Sequence, residues 1–211
     1  RFDLLSAKPR AHPGFPEENL YNQSSKPSEY PFRAAIGALQ WMSTICRPDL
    51  AHSTNALARA SANKVTKAMQ IAATLVLKYV VGTTREGLIY SPESEKEFKE
   101  VYGGLLKHAD NKGKTLELTD QPVHTFTDAS FGVTYRDLKS ISGAVIFLHG
   151  TPVAWKTKVQ SVFATSTSES EFIGISDGLA IGEGVQSVRN FIQGTEELAT
   201  DSSGPIWVDN R

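Results

Sequence analysis

Through residues 32–83 the apolar positions recur at helical intervals. In "FRAAIGALQWMSTI" (32–45), Phe32, Ile36, Leu39 and Met42 or Ser43 fall on one side of a 3.6-residue repeat. In "CRPDLAHSTNALARASA", Pro48 and Asp49 suit a first helical turn, where the N–H that proline lacks has no partner anyway. Leu50, Thr54, Leu57 and Ala58 then share a face. "KAMQIAATLVLKYVVGT" (67–83) predicts a third helix on Ile71, Leu75, Lys78 and Tyr79, stopped at Gly82. Ahead of these, residues 1–31 carry Pro9, Pro13, Pro16, Pro27 and Pro31 without periodicity, which predicts an extended lead-in.

After residue 120 the pattern changes to short apolar runs. "PVHTFTDASFG" (122–132) and "SISGAVIFLHG" (140–150) predict strands, and "TPVAWKTK" (151–158) a hairpin partner across His149–Pro152. A helix is expected over 167–193 and a last strand in "PIWVDN" (205–210). Three meandering strands, a helix and a strand predict an α+β fold, with mixed α/β character because the last connection has crossover length. Such a crossover makes the final strand parallel to an earlier one. Residues 91–120, charged and holding Gly103, Gly104 and Gly113, predict a linker or surface excursion with a short helix or hairpin. On the first strand His124 alternates with Val123 and Thr125, predicting a surface or edge position.

Bulk properties narrow the classes. At 211 residues and 40% hydrophobic content, the chain suffices for one good-sized domain or two small ones. Net charge is −1 and the pI about 6.6, so no global field draws it to nucleic acid or membrane, and nucleic-acid binding would be local. No apolar run approaches the roughly 20 residues that span a bilayer, and no signal peptide is recognised. Cys46 stands alone, excluding an internal disulfide framework, and its apolar helix predicts a packed thiol. No phosphate-cradling Gly-x-x-x-x-Gly-Lys loop occurs, and His52, His108, His124 and His149 lack metal-ligand spacing. Arg1 at the start and Arg211 straight after a strand suggest a piece of a longer polypeptide.

Candidate chemistry centres on carboxylates. At about 100° per residue, Ile175, Gly178, Leu179, Gly182 and Val185 lie within roughly 80° of Glu171, whereas Glu169 sits about 160° away among Ser176, Ala180, Glu183 and Ser187. Glu171 therefore lies on the stripe expected to face the sheet, where an unpaired carboxylate is costly. Ser166/Glu169 and Ser168/Glu171 both satisfy the Ser-x-x-Glu capping box, so spacing alone leaves capping open for either. The wheel assigns the cap to Ser166/Glu169 and leaves Glu171 for another task. Asp177 falls at the margin of the apolar arc and is expected to be solvated. Asp128 ends the first strand and Asp209 the last, and each alone would read as a turn former. Together with Glu171 they could converge on hard divalent cations, Mg²⁺ or Mn²⁺. Two such ions, about 4 Å apart, can activate water and stabilise the leaving oxygen of a phosphodiester.

At these residues a resemblance enters. Asp128, Lys139–Gly143 ("Lys-Ser-x-Ser-Gly"), Pro152–Trp155 ("Pro-Val-x-Trp"), Glu169–Phe172 and Asp209–Asn210 match, in order, the ribonuclease H domain of copia-type LTR retrotransposon Pol polyproteins. "FRAAIGALQWMSTICRPDLAHSTNALARAS" and "LKYVVGTTREGLIY" resemble the segment joining the reverse transcriptase core to that domain. The likeness covers about 30–90 and 122–211. It implies a ribonuclease H-like mixed sheet of five-stranded type, incomplete here, with packed helices after a mostly helical segment. Four stretches follow: the lead-in (1–31), a reverse transcriptase connection region (32–90), a charged linker or insertion (91–120) and a ribonuclease H-like domain, truncated (121–211).

By this likeness Asp128, Glu171 and Asp209 would be metal-binding catalytic carboxylates, holding two Mg²⁺ or Mn²⁺ ions and cutting the RNA strand of an RNA–DNA hybrid. Lys139, Ser140, Ser142, Trp155, Lys156 and Lys158 would lie beside the hybrid, read by its shape, phosphates and 2′-hydroxyls. Packing equally suits Trp155, and a solvated strand equally suits the lysines. The implied partners are the hybrid and an upstream reverse transcriptase core, with no membrane, and the implied location is the cytoplasmic virus-like particle or the nucleus. The chain departs from the pattern in lacking the family's later helix, strand and final acid, in its longer 91–120 link, and in Ser130 where many relatives carry a second acid. A non-catalytic remnant, or a hybrid-binding or connecting module, is the alternative. A DDE-type integrase shares the sheet and acids but not the Lys-Ser-x-Ser-Gly and Pro-Val-x-Trp motifs.

Overall fold

In a computed structural model, the residues described are 8–21, 25–62, 64–103, 107–109, 115–117, 121–134, 137–195 and 204–208. They form two compact units, Arg1–Gly87 and Leu88–Arg211.

The first unit is helical. A 3₁₀ turn at Glu17–Tyr21 precedes α1 (Phe32–Ile45), and a second at Pro48–Leu50 leads into α2 (Ala51–Ala60) and α3 (Lys67–Gly82). Phe32, Leu39, Leu50, Leu57, Met69 and Val76 make up much of its core. On α1 it is Ser43, not Met42, that is fully inside, and Leu50 of the second 3₁₀ turn with Thr54 and Leu57 of α2 are buried as their spacing predicts. Of the face expected of α3, Tyr79 is buried but Ile71 is exposed, and Met69, Ala72, Ala73, Val76 and Leu77 also point inward. Thr66 caps α3, its hydroxyl accepting from the Met69 amide. Cys46 is exposed, against expectation, because α1 stops at Ile45 and the chain turns to send Arg47 inward instead. The Arg47 guanidinium donates to both Asp49 carboxylate oxygens and to the Thr83 hydroxyl and carbonyl, while the Tyr79 hydroxyl donates to Asp49. These bonds tie the start of α2 to the end of α3.

The second unit is the α+β half. It holds α4 (Pro92–Tyr102), a small antiparallel pair β1 (Lys107–Ala109) and β2 (Thr115–Glu117), the meander β3 (Val123–Ser130), β4 (Ile141–Leu148) and β5 (Thr151–Val159), then α5 (Thr167–Gln193) and β6 (Ile206–Val208). Strand order is β5-β4-β3-β6. β3, β4 and β5 are antiparallel neighbours, and β6 runs parallel to β3, as its crossover-length connection predicts. This four-stranded mixed sheet with packed helices is the ribonuclease H-like α+β arrangement, incomplete by comparison with a five-stranded sheet. A two-residue turn joins β4 to β5, with positive φ at both His149 (48°) and Gly150 (77°). Those angles match a type I′ hairpin, whose twist suits the flanking strands. A Cβ on Gly150 would overlap the backbone of Ser94 and Glu95, so α4 lies directly on this turn.

Both faces of the sheet are covered. α5 lies over Thr125, Thr127 and Ala129 on the odd-numbered side of β3. On the even-numbered side the ring of Phe98, from α4, packs at 4.7 Å from His124, 6.2 Å from Phe126 and 5.4 Å from Phe147. The region expected as a linker thus supplies a covering helix. It also corrects the reading of His124, which is 1% exposed. Its Nε2–H donates to the Gln121 carbonyl at 2.8 Å and its Nδ1 accepts from the Trp207 indole at 3.4 Å. Burial lowers its pKa, the Lys99 charge adds to that, and the Gln121 carbonyl works against it.

A ring kept neutral in the fold takes up its proton on unfolding. Its contribution to stability is therefore complete above about pH 6.5, the ordinary histidine value, and is lost as pH falls toward the lowered folded value. The thermal midpoint should drop between pH 7.5 and pH 5.5, and His124→Gln should shrink that drop. An equal drop in both proteins would show that His124 is not its source.

Candidate functional site

The two described candidate carboxylates belong to elements that meet at the C-terminal end of β3. Three glycines one turn apart seat α5: Gly182 against Thr125, Gly178 against Thr127 and Thr125, and Gly174 against Ala129 and the Asp128 carbonyl. Moving toward the N-terminus of α5 therefore means moving toward the end of β3. Glu171 lies three residues before Gly174, about 4.5 Å farther along the axis, level with the last residues of the strand. It is half-buried on the sheet side of the helix.

Glu169 has the other role that its spacing allows. Ser166 is the N-cap, its hydroxyl accepting from the Glu169 amide at 3.1 Å. The Glu169 carboxylate reaches back to the Thr165 amide at 2.6 Å and hydroxyl at 2.7 Å, and these bonds lower its pKa. It is a capping box shifted by one residue, and it engages one oxygen of the Glu169 carboxylate.

Asp128 is exposed and pairs in register with Gly143, the small residue of Lys-Ser-x-Ser-Gly. Strand alternation puts its side chain on the face that carries His124 and Phe126, opposite α5. Asp128 and Glu171 thus approach the end of β3 from opposite sides of the sheet. The parallel pairing of β3 with β6 is described as far as Thr127 with Val208. Asp209, next in sequence after Val208, lies outside the described residues. Among the described residues no three His, Cys, Asp or Glu side chains cluster to hold a metal ion. The available donors are carboxylate oxygens, since His124 spends both ring nitrogens internally and Cys46 belongs to the other unit. Such a set fits a hard divalent cation and not zinc.

The residues expected beside a hybrid divide into two groups. Ser140 and Ser142 are buried: the Ser140 hydroxyl accepts from the Gly132 amide, and the Ser142 hydroxyl from the Gln160 side chain. Lys158 pairs at 3.1 Å with Asp177 of α5, so Asp177 is engaged and not simply solvated as expected. Lys139 donates to the Ser161 carbonyl and rests 5.7 Å above the exposed ring of Phe163. Lys156 is exposed, and Trp155 half-buried on β5. Around the same end of the sheet Phe131, Leu138, Val162, Phe163 and Phe172 expose apolar surface. The sequence reading passed over Gln160, whose polar side chain is almost wholly buried between β4 and α5.

No family model matches the chain, and no solved structure matches it. Curated relatives do. The chain is 27% identical over 179 residues to the retrovirus-related Pol polyprotein from transposon RE2 of Arabidopsis thaliana, a match covering 84% of this chain and 10% of that protein. It is 23% identical over 201 residues to the Pol polyprotein from transposon TNT 1-94 of Nicotiana tabacum, covering 92% and 13% respectively. It is also 24% identical over 147 residues to the secreted RxLR effector protein 161 of Plasmopara viticola, covering 70% of this chain and 85% of that one. The chain spans about a tenth of the length of the transposon relatives it matches. No described helix is long and apolar enough to cross a membrane. With its motifs in order from Asp128 to Asn210, the chain is similar over most of its length to a stretch of retrovirus-related Pol polyproteins from two plant transposons.

Proposed function

We propose that this chain is the ribonuclease H module of its polyprotein, hydrolysing the RNA strand of RNA–DNA hybrids made during reverse transcription. The observation that carries the reading is the seating of α5. Its glycines bring Glu171 to the end of the strand that bears Asp128, while the neighbouring Glu169 is taken up by the cap. Asp128, Glu171 and Asp209 would hold Mg²⁺ or Mn²⁺ past the end of β3, where the sheet no longer separates its two faces. Two such ions supply an activated water and stabilise the leaving oxygen. The residues' own part is to hold that position, and the half-buried Lys139 and the exposed Lys156 would face the phosphates of the duplex. The module would act beside an upstream reverse transcriptase core, in the cytoplasmic particles of the element or in the nucleus.

The test is Mg²⁺-dependent cleavage of a labelled RNA–DNA hybrid by this chain, by a form extended at its C-terminus, and by Asp128→Asn in each. Loss of a metal ligand should cost at least the roughly 100-fold seen when supporting residues of metal sites are removed. Hybrid affinity measured without metal should barely change. Undiminished cleavage by Asp128→Asn rejects the reading, as does inactivity of both unmutated forms.

One comparison favours a second reading, in which the fold is kept without catalysis as a hybrid-binding or connecting module. The chain spans 85% of the Plasmopara viticola effector, a protein far shorter than a Pol polyprotein. Hybrid binding without cleavage at saturating Mg²⁺ is the result that would select it.

A further inference from the structure

Gln160 follows β5 directly and is 1% exposed. Its amide N–H donates to the Ser140 carbonyl, which continues the β4–β5 ladder by one step. Its side-chain Nε2 makes two bonds, to the Ser142 hydroxyl of β4 at 2.9 Å and to the Ser170 carbonyl of α5 at 2.8 Å. The bond to a carbonyl fixes which end of the amide is the nitrogen, because an oxygen there would face another acceptor. The opposite end, Oε1, is buried and has no hydrogen-bond partner among the described residues. The residue keeps the amide for its two donors.

Both anchors adjoin the candidate carboxylates. Ser170 immediately precedes Glu171 and is fully buried. Ser142 pairs in register with Ala129, the residue after Asp128, and lies close to Gly174. One planar amide therefore spans from the strand layer to the first turns of α5 at the level of the site. We propose that Gln160 is a positioning residue that sets the separation between Asp128 and Glu171, and so the metal affinity and turnover of the site. The inference rests on the nuclease reading for its consequence, while the cross-link itself is a matter of geometry.

The experiment compares the unmutated chain with Gln160→Leu, which keeps the volume, removes both donors and deletes the unpaired acceptor. The Ser142 hydroxyl and Ser170 carbonyl lose a donor, so the thermal midpoint should fall, and the metal and cleavage readouts are taken well below it. Mn²⁺ binding, followed by calorimetry, should weaken by about 10-fold or more, a loss typical of residues that orient metal ligands. Cleavage of the hybrid should fall in kcat by a similar factor with KM unchanged. Ser142→Ala, which cuts one anchor, should move both readouts the same way but less. Unchanged Mn²⁺ affinity and kcat in Gln160→Leu overturn the inference and leave the nuclease reading standing. A chain that binds Mn²⁺ but never cleaves hybrid overturns the nuclease reading, and weaker Mn²⁺ binding by Gln160→Leu then still upholds the positioning role. Should Gln160→Leu fail to fold, the role is overturned if Ser142→Ala leaves Mn²⁺ affinity and kcat unchanged, and upheld if it lowers both.

Discussion

Gly178→Ala should destabilise the second unit by about 1–3 kcal/mol, the usual cost of forcing a methyl into a filled interior. A Cβ at this position would overlap the Thr127 methyl and come within 3.3 Å of Thr125 Cγ2 and 3.6 Å of Ala144 Cβ. The strand cannot yield, because β3 is paired with β4 on one side and β6 on the other, and a β-branched threonine is stiff about χ1. The helix must move instead. Glu171 then shifts relative to Asp128, so any metal-dependent cleavage should fall by more than the stability change explains. The cause is checked by a second substitution. Thr127→Ala removes the obstructing methyl together with a buried hydroxyl that has no partner among the described residues. In the double variant most of the lost stability should return, a coupling that chemical denaturation of the four proteins of the cycle measures. If the two losses simply add, the close seat of α5 on Thr127 is wrong.

Phe98→Ala should have a still larger effect on stability, about 3–5 kcal/mol. Phe98 is the sole buried residue of α4 among those described, and its ring touches Tyr102, His124, Phe126 and Phe147. Truncating it opens a void over the centre of the sheet face and loosens the contact of α4 with the His149–Gly150 turn. Urea unfolding followed by near-ultraviolet circular dichroism would report this. A loss below about 1 kcal/mol, the scale of surface substitutions, would mean that α4 is only loosely attached.

This pair of predictions also marks where the sequence was legible. α5 could be read almost to the residue, because Ser166 and Glu169 announce its start and Gly194, with φ 67°, its end. The meander was equally open, since its β4–β5 turn and apolar runs are local signals. β3 was harder. Its burial does not alternate because helices cover both sides, and one of those helices is rich in charge, with Phe98 its one buried residue among those described. A histidine opposite that helix therefore looked like a surface residue and is a core one. The phase of α3 was only partly legible, Tyr79 inside as expected and Ile71 outside, because apolar residues run almost all round that helix and spacing alone does not choose between them. At the site, the wheel separated Glu171 from Glu169 through the stripe of Ile175, Gly178, Leu179, Gly182 and Val185, and the cap bonds of Glu169 agree with it. Gln160 was invisible because its partners, Ser142 and Ser170, become neighbours only through tertiary contact.

The glycines of α5 carry a further implication for how the second unit assembles. Gly174, Gly178, Gly182 and Gly184 each cost a helix about 1 kcal/mol relative to alanine, so a peptide of this sequence should be largely unstructured in water. The helix exists because the sheet supplies a surface for it to lie on. Folding of strands and helix should then be a single cooperative event with little residual helicity in the denatured ensemble, and the segment bearing Glu171 should acquire its shape only when the strand bearing Asp128 is already in place.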